Sequence, residues 1–171
     1  MWKKSTLTPI YKGKGDILDC SNYRGIKLLS HTFKIFERII DKRLRAIIEV
    51  SEIQQGFMPG KSTIDGIFAV RQWIEKYREK GKNLCMVFLD LEKAYDRVPR
   101  EEMWRCLRRK KVPEMYVKMI MEMYDGCSTT VRSEAGMSEP FGVKVGLHQG
   151  SALSPFLFVI LLDVLTEGLA R

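Results

Sequence analysis

Met86-Val87-Phe88-Leu89-Asp90-Leu91-Glu92-Lys93-Ala94-Tyr95-Asp96-Arg97-Val98 is the stretch on which the reading of this chain turns. Its apolar opening predicts a buried strand over residues 84–91, which delivers Asp90 and is followed by a polar turn, an aromatic and a second carboxylate. An acid at the end of an apolar strand has two physical readings. Asp90 or Asp96 can cap the following turn by accepting backbone N–H bonds. Alternatively, Asp90 is a metal ligand presented at the mouth of a sheet, where hard oxygen ligands hold Mg²⁺ against a phosphate. The stretch by itself does not choose between them.

The rest of the chain narrows the choice. At 171 residues, with 45% hydrophobic and 29% charged side chains, it suits one domain with a substantial core and excludes a disordered or membranous composition. The net charge of +8 is concentrated: residues 1–50 carry 11 Lys and Arg against 5 Asp and Glu, and residues 97–118 carry 8 against 3. Basic blocks of this kind suit a phosphate backbone, although solvated helix faces give the same count. Cys20, Cys85, Cys106 and Cys127 are scattered with no Cys-x-x-Cys, which argues for reduced thiols rather than zinc or a disulfide framework. There is no signal-peptide pattern after Met1, and the run Phe156–Leu162 is too short to span a bilayer, so the expectation is an intracellular chain without a membrane segment.

Taken in order, residues 6–11 and 23–29 predict short strands around a glycine-rich basic loop, Lys12-Gly13-Lys14-Gly15-Asp16. That loop could close on a triphosphate or simply connect a hairpin. Phe33, Phe36, Ile40, Leu44 and Ile47 recur at helical spacing over 30–50, with Lys34, Arg38, Lys42 and Arg45 turned outward. A glycine- and proline-punctuated loop follows at 54–61. Ser62 and Asp65 then form a capping box for a second helix that Gly81 stops. Pro99 opens a basic helix over about 100–111, and beyond Val112-Pro113 a helix with Met115, Met119 and Met123 in its core face runs to Gly126. Thr129–Ser133 and Phe141–Val145 predict a hairpin around Gly136. Pro155 opens an apolar helix reaching about Leu169, its missing N–H being unpaired at a first turn in any case.

Leu89-Asp90-Leu91-Glu92-Lys93-Ala94-Tyr95-Asp96, followed by Gly150-Ser151-Ala152-Leu153-Ser154-Pro155, resembles motifs A and B of reverse transcriptases. Asn22-Tyr23-Arg24-Gly25-Ile26-Lys27-Leu28-Leu29-Ser30 and Gln55-Gly56-Phe57-Met58-Pro59-Gly60-Lys61-Ser62-Thr63 resemble fingers segments of the same family, in wording nearest to RTE-type non-LTR retrotransposons. The resemblance implies an α+β fold: right-hand fingers over about 1–83 and part of a palm over about 84–171, helix-rich with a small antiparallel sheet. It implies RNA-directed DNA synthesis from deoxynucleoside triphosphates on an RNA template and DNA primer, in the cytoplasm and nucleus. Two Mg²⁺ ions would activate the primer hydroxyl and stabilise the leaving pyrophosphate. By the same resemblance Asp90 is the catalytic metal ligand, with the Leu91 carbonyl beside it, and Tyr95 lies under the deoxyribose, excluding a 2′-hydroxyl by bulk. Gln149 and Gly150 line the incoming nucleotide, and Arg24 cradles its triphosphate. Lys12 and Lys14 are weaker candidates for that task, and Asp96 is left as structural.

The pattern departs from the family at one point. Motif C, an aromatic-x-Asp-Asp turn, supplies the remaining metal carboxylates, and no Asp-Asp occurs in the sequence. One carboxylate would leave most of the charge of two divalent ions uncompensated. The expectation is therefore a fragment, inactive in isolation. Two alternatives remain open: a non-catalytic RNA- or DNA-binding remnant holding phosphates through its basic blocks, and a chain left poorly folded by the unpaired edge of strand 84–91.

Overall fold

The computed structural model describes residues 3–168. Strands β1 (Lys4–Tyr11) and β2 (Tyr23–Leu28) pair antiparallel, from Thr6 opposite Leu28 to Tyr11 opposite Tyr23. Their connection is held by its own polar groups: Lys12 N–H donates to the Asn22 carbonyl at 2.9 Å and Lys12 Nζ to the Ser21 carbonyl at 2.8 Å.

The sheet is mixed, which corrects the expected antiparallel one. β1 also runs parallel to β3 (Ser128–Ser133), with Lys4 opposite Ser128 and Leu7 opposite Val131. Parallel neighbours need a long crossover, and the helices between β2 and β3 provide it. On its other edge β3 pairs antiparallel with β4 (Gly136–Met137) and β5 (Phe141–Gly142). The expected strand over 141–145 is thus paired only at its first two residues.

The helices are α1 (His31–Ile47), α2 (Thr63–Glu79), the single turn α3 (Ala94–Arg97), α4 (Arg100–Arg109), α5 (Glu114–Tyr124) and α6 (Ser154–Thr166). Ser30 caps α1 by accepting the Phe33 N–H at 3.3 Å, and the Ser62–Asp65 capping box opens α2 as anticipated. The core is built by α1, α4, α5 and α6: Ile40, Leu44, Leu107, Val117, Ile120 and Phe156 are each at most 1% exposed. Every side chain from Phe156 to Leu161 is buried, which explains why α6 shows no amphipathic period in sequence. Its Asp163, 2% exposed, meets Lys110 Nζ at 2.5 Å and accepts the Ser51 N–H at 3.0 Å, tying α4 and the 49–53 loop to the same helix. The expected end of α6 near Leu169 lies outside the described residues.

Four expectations are corrected. Residues 84–91 form no strand. No strand among the described residues runs beside them, so their backbone lacks the partner a strand requires, and Val87, Phe88 and Leu89 are 85%, 77% and 84% exposed. On α1 the fourth member of the buried face is Glu37, whereas Ile47, the helix's last residue, is 41% exposed. Arg45, expected to point outward, lies with its guanidinium 4.1 Å over the Phe156 ring and pairs with Asp41 at 3.0 Å. On α5 Met123 is buried but Met115 is exposed, because eight residues of a 3.6-residue helix leave the two roughly 80° apart. α2 buries no residue and leaves Ile64, Ile67, Phe68 and Trp73 exposed. Among the described residues no helix is long and apolar enough to cross a membrane.

Candidate functional site

Three separate segments are pinned together by their main chains. Leu147 N–H donates to the Tyr95 carbonyl at 2.7 Å and Gly146 N–H to the Val98 carbonyl at 2.9 Å, docking residues 146–147 onto α3. Gly146 has φ +81°, and a Cβ there would stand 2.6 Å from the Asp96 carbonyl oxygen, so only glycine permits this approach. Lys27 N–H donates to the Gln149 carbonyl at 3.2 Å, drawing β2 to the same loop. Gly150 has φ +94° and its absent Cβ would lie 2.8 Å from the Lys27 carbonyl oxygen. The demand for glycine at 150 is therefore already made by β2, without any ligand.

The junction encloses a cleft of about 710 Å³. Arg24, Leu91, Tyr95, Gln149 and Gly150, five positions singled out by resemblance, line it together with Phe57. Tyr95 is half-buried, stacked on Phe158 at 4.9 Å and met edge-on by Phe57 at 6.4 Å, so its ring is fixed on two sides. Burial pushes its hydroxyl above the usual tyrosine value. Gln149 Nε2 donates to Asp96 Oδ1 at 2.9 Å, which gives Asp96 a definite task as the residue that aims Gln149. An exposed arginine, a clamped aromatic face and an amide around one opening form a site able to hold a planar, phosphorylated ligand.

Three of the expected residues are not brought to this cleft. Asp90 is exposed and is joined to the lining only through its chain neighbour Leu91. Lys12 is spent on closing its own loop, and Lys14 is exposed away from the lining.

Behind the cleft lies a buried polar layer. His148 is 3% exposed, stacks on Tyr124 at 4.4 Å, and has no hydrogen-bond partner on either ring nitrogen among the described residues. Burial first, then the charges of Lys27 and Arg100, pull it down to about 3, so the ring is neutral. Burial pushes Tyr124 up to about 12 while its hydroxyl stays within 3.1 Å of Ser154 Oγ. Lys27, 6% exposed, is lowered chiefly by burial.

Sequence reasoning passed over Phe57, Lys93 and His148, which line the cleft, and the buried Glu37, whose carboxylate is bonded to Ser151 and Ala152 of the same loop. Phe57 sat inside a quoted loop, but nothing in its spacing tied that loop to Tyr95. Glu37 sat on the face assigned to core, where its charge was the available signal: a carboxylate on an apolar stripe needs a buried partner.

The two divalent ions that the resemblance implies would need several carboxylates brought together. Among the described residues no three His, Cys, Asp or Glu side chains gather where one metal ion could be held. The residues present do not fit a two-ion centre.

Comparison with known proteins agrees with the motifs. Residues 3–171 match the family described as reverse transcriptase (RNA-dependent DNA polymerase). The retrovirus-related Pol polyprotein from the type-1 retrotransposable element R2 of Popillia japonica is 32% identical over 165 residues, 96% of this chain and 23% of that protein. The probable RNA-directed DNA polymerase from transposon X-element of Drosophila melanogaster is 29% identical over 167 residues, 93% of this chain and 18% of its own length. The polymerase from mobile element jockey of the same fly is 26% identical over 163 residues, 93% and 18% respectively. The chain thus spans less than a quarter of these relatives, which belong to non-LTR elements. With four motifs in order and a family match across the whole described length, the chain belongs to the reverse transcriptase (RNA-dependent DNA polymerase) family.

Proposed function

We propose that the chain is the fingers and part of the palm of an RNA-directed DNA polymerase from a non-LTR retrotransposon, divided near residues 83 and 84, and that the 710 Å³ cleft receives the incoming deoxynucleoside triphosphate. The observation that carries this reading is the convergence of Arg24, Tyr95 and the pair Gln149–Gly150, three segments far apart in sequence, on one opening. Arg24 offers its guanidinium fork to the phosphates, Tyr95 presents a ring face beneath the sugar, and Gln149, aimed by Asp96, borders the base. RNA template and DNA primer would lie against the basic surface, in the cytoplasm and nucleus. Two Mg²⁺ ions belong to the complete enzyme. Because Asp90 and the Leu91 carbonyl are too few to hold them, no catalytic step is assigned to this chain alone.

Equilibrium binding of a fluorescent deoxynucleoside triphosphate tests the assignment. Arg24→Ala should weaken binding by about tenfold, the loss of one charge-assisted contact. Tyr95→Val should narrow the preference for deoxy- over ribonucleotide. Unchanged affinity in the first and unchanged discrimination in the second would remove the cleft from consideration.

A second reading, a non-catalytic nucleic-acid-binding remnant, is favoured by a basic groove of about 380 Å³ where His31, Lys34 and Arg38 face the Gly150–Ala152 loop. Single-stranded RNA binding should then fall by about 0.7 log units per log unit of salt for each phosphate contacted. A flat salt response excludes it.

A further inference from the structure

We propose that Glu37 is a positioning residue: it holds the Gln149–Ala152 loop in the conformation that faces the cleft. This rests on the reading of that cleft as a nucleotide site. Glu37 is 1% exposed on α1, and both of its carboxylate oxygens are engaged by the loop. Ser151 Oγ donates to Oε1, and the Ala152 N–H donates to Oε2 at 3.1 Å. The same Ser151 oxygen accepts the Leu153 and Ser154 N–H groups, each at 3.1 Å, at the first turn of α6. Since Ser151 has one proton, committing it to Glu37 leaves its lone pairs for the helix. The carboxylate therefore sets the polarity of the whole cap.

A core position on α1 is filled most cheaply by an apolar side chain, as at Ile40 and Leu44. The carboxylate at 37 costs desolvation, visible as a proton affinity raised first of all by burial and only partly offset by the Ser151 and Ala152 bonds and by Lys34 and Lys27. What the carboxylate holds in return lies entirely in the loop. With Lys27 N–H on the Gln149 carbonyl from β2 and Asp96 on the Gln149 side chain from α3, Glu37 completes a three-sided grip. It is the only one of the three that reaches the loop beyond Gly150 among the described residues. Glutamine cannot substitute, because its amide nitrogen would face either the Ala152 N–H or a Ser151 oxygen that already accepts two bonds.

The test compares Glu37→Gln with Ile40→Val, an equally buried change on the same helix face at a side chain that offers the loop no hydrogen bond. Two readouts are taken on the full chain under folding conditions: hydrogen exchange of peptides covering 147–155 and the α4–α5 helices, and affinity for a fluorescent deoxynucleoside triphosphate. Glu37→Gln should speed exchange in 147–155 by about tenfold while leaving α4 and α5 protected, the signature of a lost charge-assisted bond in one local unit. It should also weaken nucleotide binding, whereas Ile40→Val should lower the melting temperature and leave affinity unchanged. Uniform loosening of all peptides, or an unchanged 147–155 segment, overturns the proposal. If Glu37→Gln does not fold, Ser151→Ala, which removes only the bridging hydroxyl, must give the same selective pattern or the proposal fails. Absence of nucleotide binding by the unaltered chain would refute the reading of the cleft, and the exchange pattern would still decide whether Glu37 holds the loop.

Discussion

Gly150→Ala separates two reasons for a glycine at the mouth of the cleft. If the glycine exists only to admit a ligand, alanine should leave the free protein's stability intact. The structure says otherwise: at φ +94° a non-glycine residue is strained by about 2 kcal/mol. In addition, the new Cβ would stand 2.8 Å from the Lys27 carbonyl oxygen, a backbone atom that must move, and overpacking of this kind costs about 1–3 kcal/mol. Together these predict a loss of about 3–4 kcal/mol, a large part of a domain's stability. For a chain of this size that lowers Tm by roughly 10 °C. The assay is urea denaturation of nucleotide-free protein, with an unchanged m-value showing that both variants unfold the same surface. A loss below about 1 kcal/mol, accompanied by loss of nucleotide affinity, would refute the packing argument and return the glycine to ligand approach alone.

Two further outcomes follow from the buried polar groups. His148 is neutral in the fold, with a value of about 3 against 6.5 in the open chain, so below pH 6.5 the unfolded state binds a proton that the folded state refuses. Stability should fall as pH drops from 6.5 towards 3, by up to about 1.4 kcal/mol per unit, and His148→Phe should flatten that slope. Lys27, Arg100 and Tyr124, which face the ring, remain in both proteins, so an unchanged slope in His148→Phe would contradict the assignment. Lys110→Met should cost about 3 kcal/mol by stranding the Asp163 carboxylate, and adding Asp163→Leu should recover most of it; additive losses in the double variant would show that the pair does not act as one.

How much of this was legible in the sequence depends on where each signal lives. Local chemistry was readable: the Ser62–Asp65 box, Pro155 at the head of α6, the Lys12–Asp16 connection and the helical face of Phe33, Ile40 and Leu44 all appear as read. What failed was partnership. Residues 84–91 have the composition of a buried strand, but composition does not say whether another strand lies alongside, and none does among the described residues. The parallel pairing of β1 with β3 joins residues 124 positions apart and leaves no local trace. At the site, the motif residues converged, whereas the groups that hold them did not announce themselves. Asp96 was read as structural without its tie to Gln149, and Glu37 was hidden under an apolar periodicity that it happened to satisfy.

The central claim, that this chain carries the nucleotide-receiving part of an RNA-copying polymerase, is tested most directly by primer extension on an RNA template. The experiment uses a longer polypeptide that adds an aromatic-x-Asp-Asp segment to these residues. The account predicts template-dependent DNA synthesis that Asp90→Ala reduces by at least about a thousandfold, the scale of losing charge stabilisation at a two-ion centre. Synthesis that persists undiminished in Asp90→Ala would contradict it.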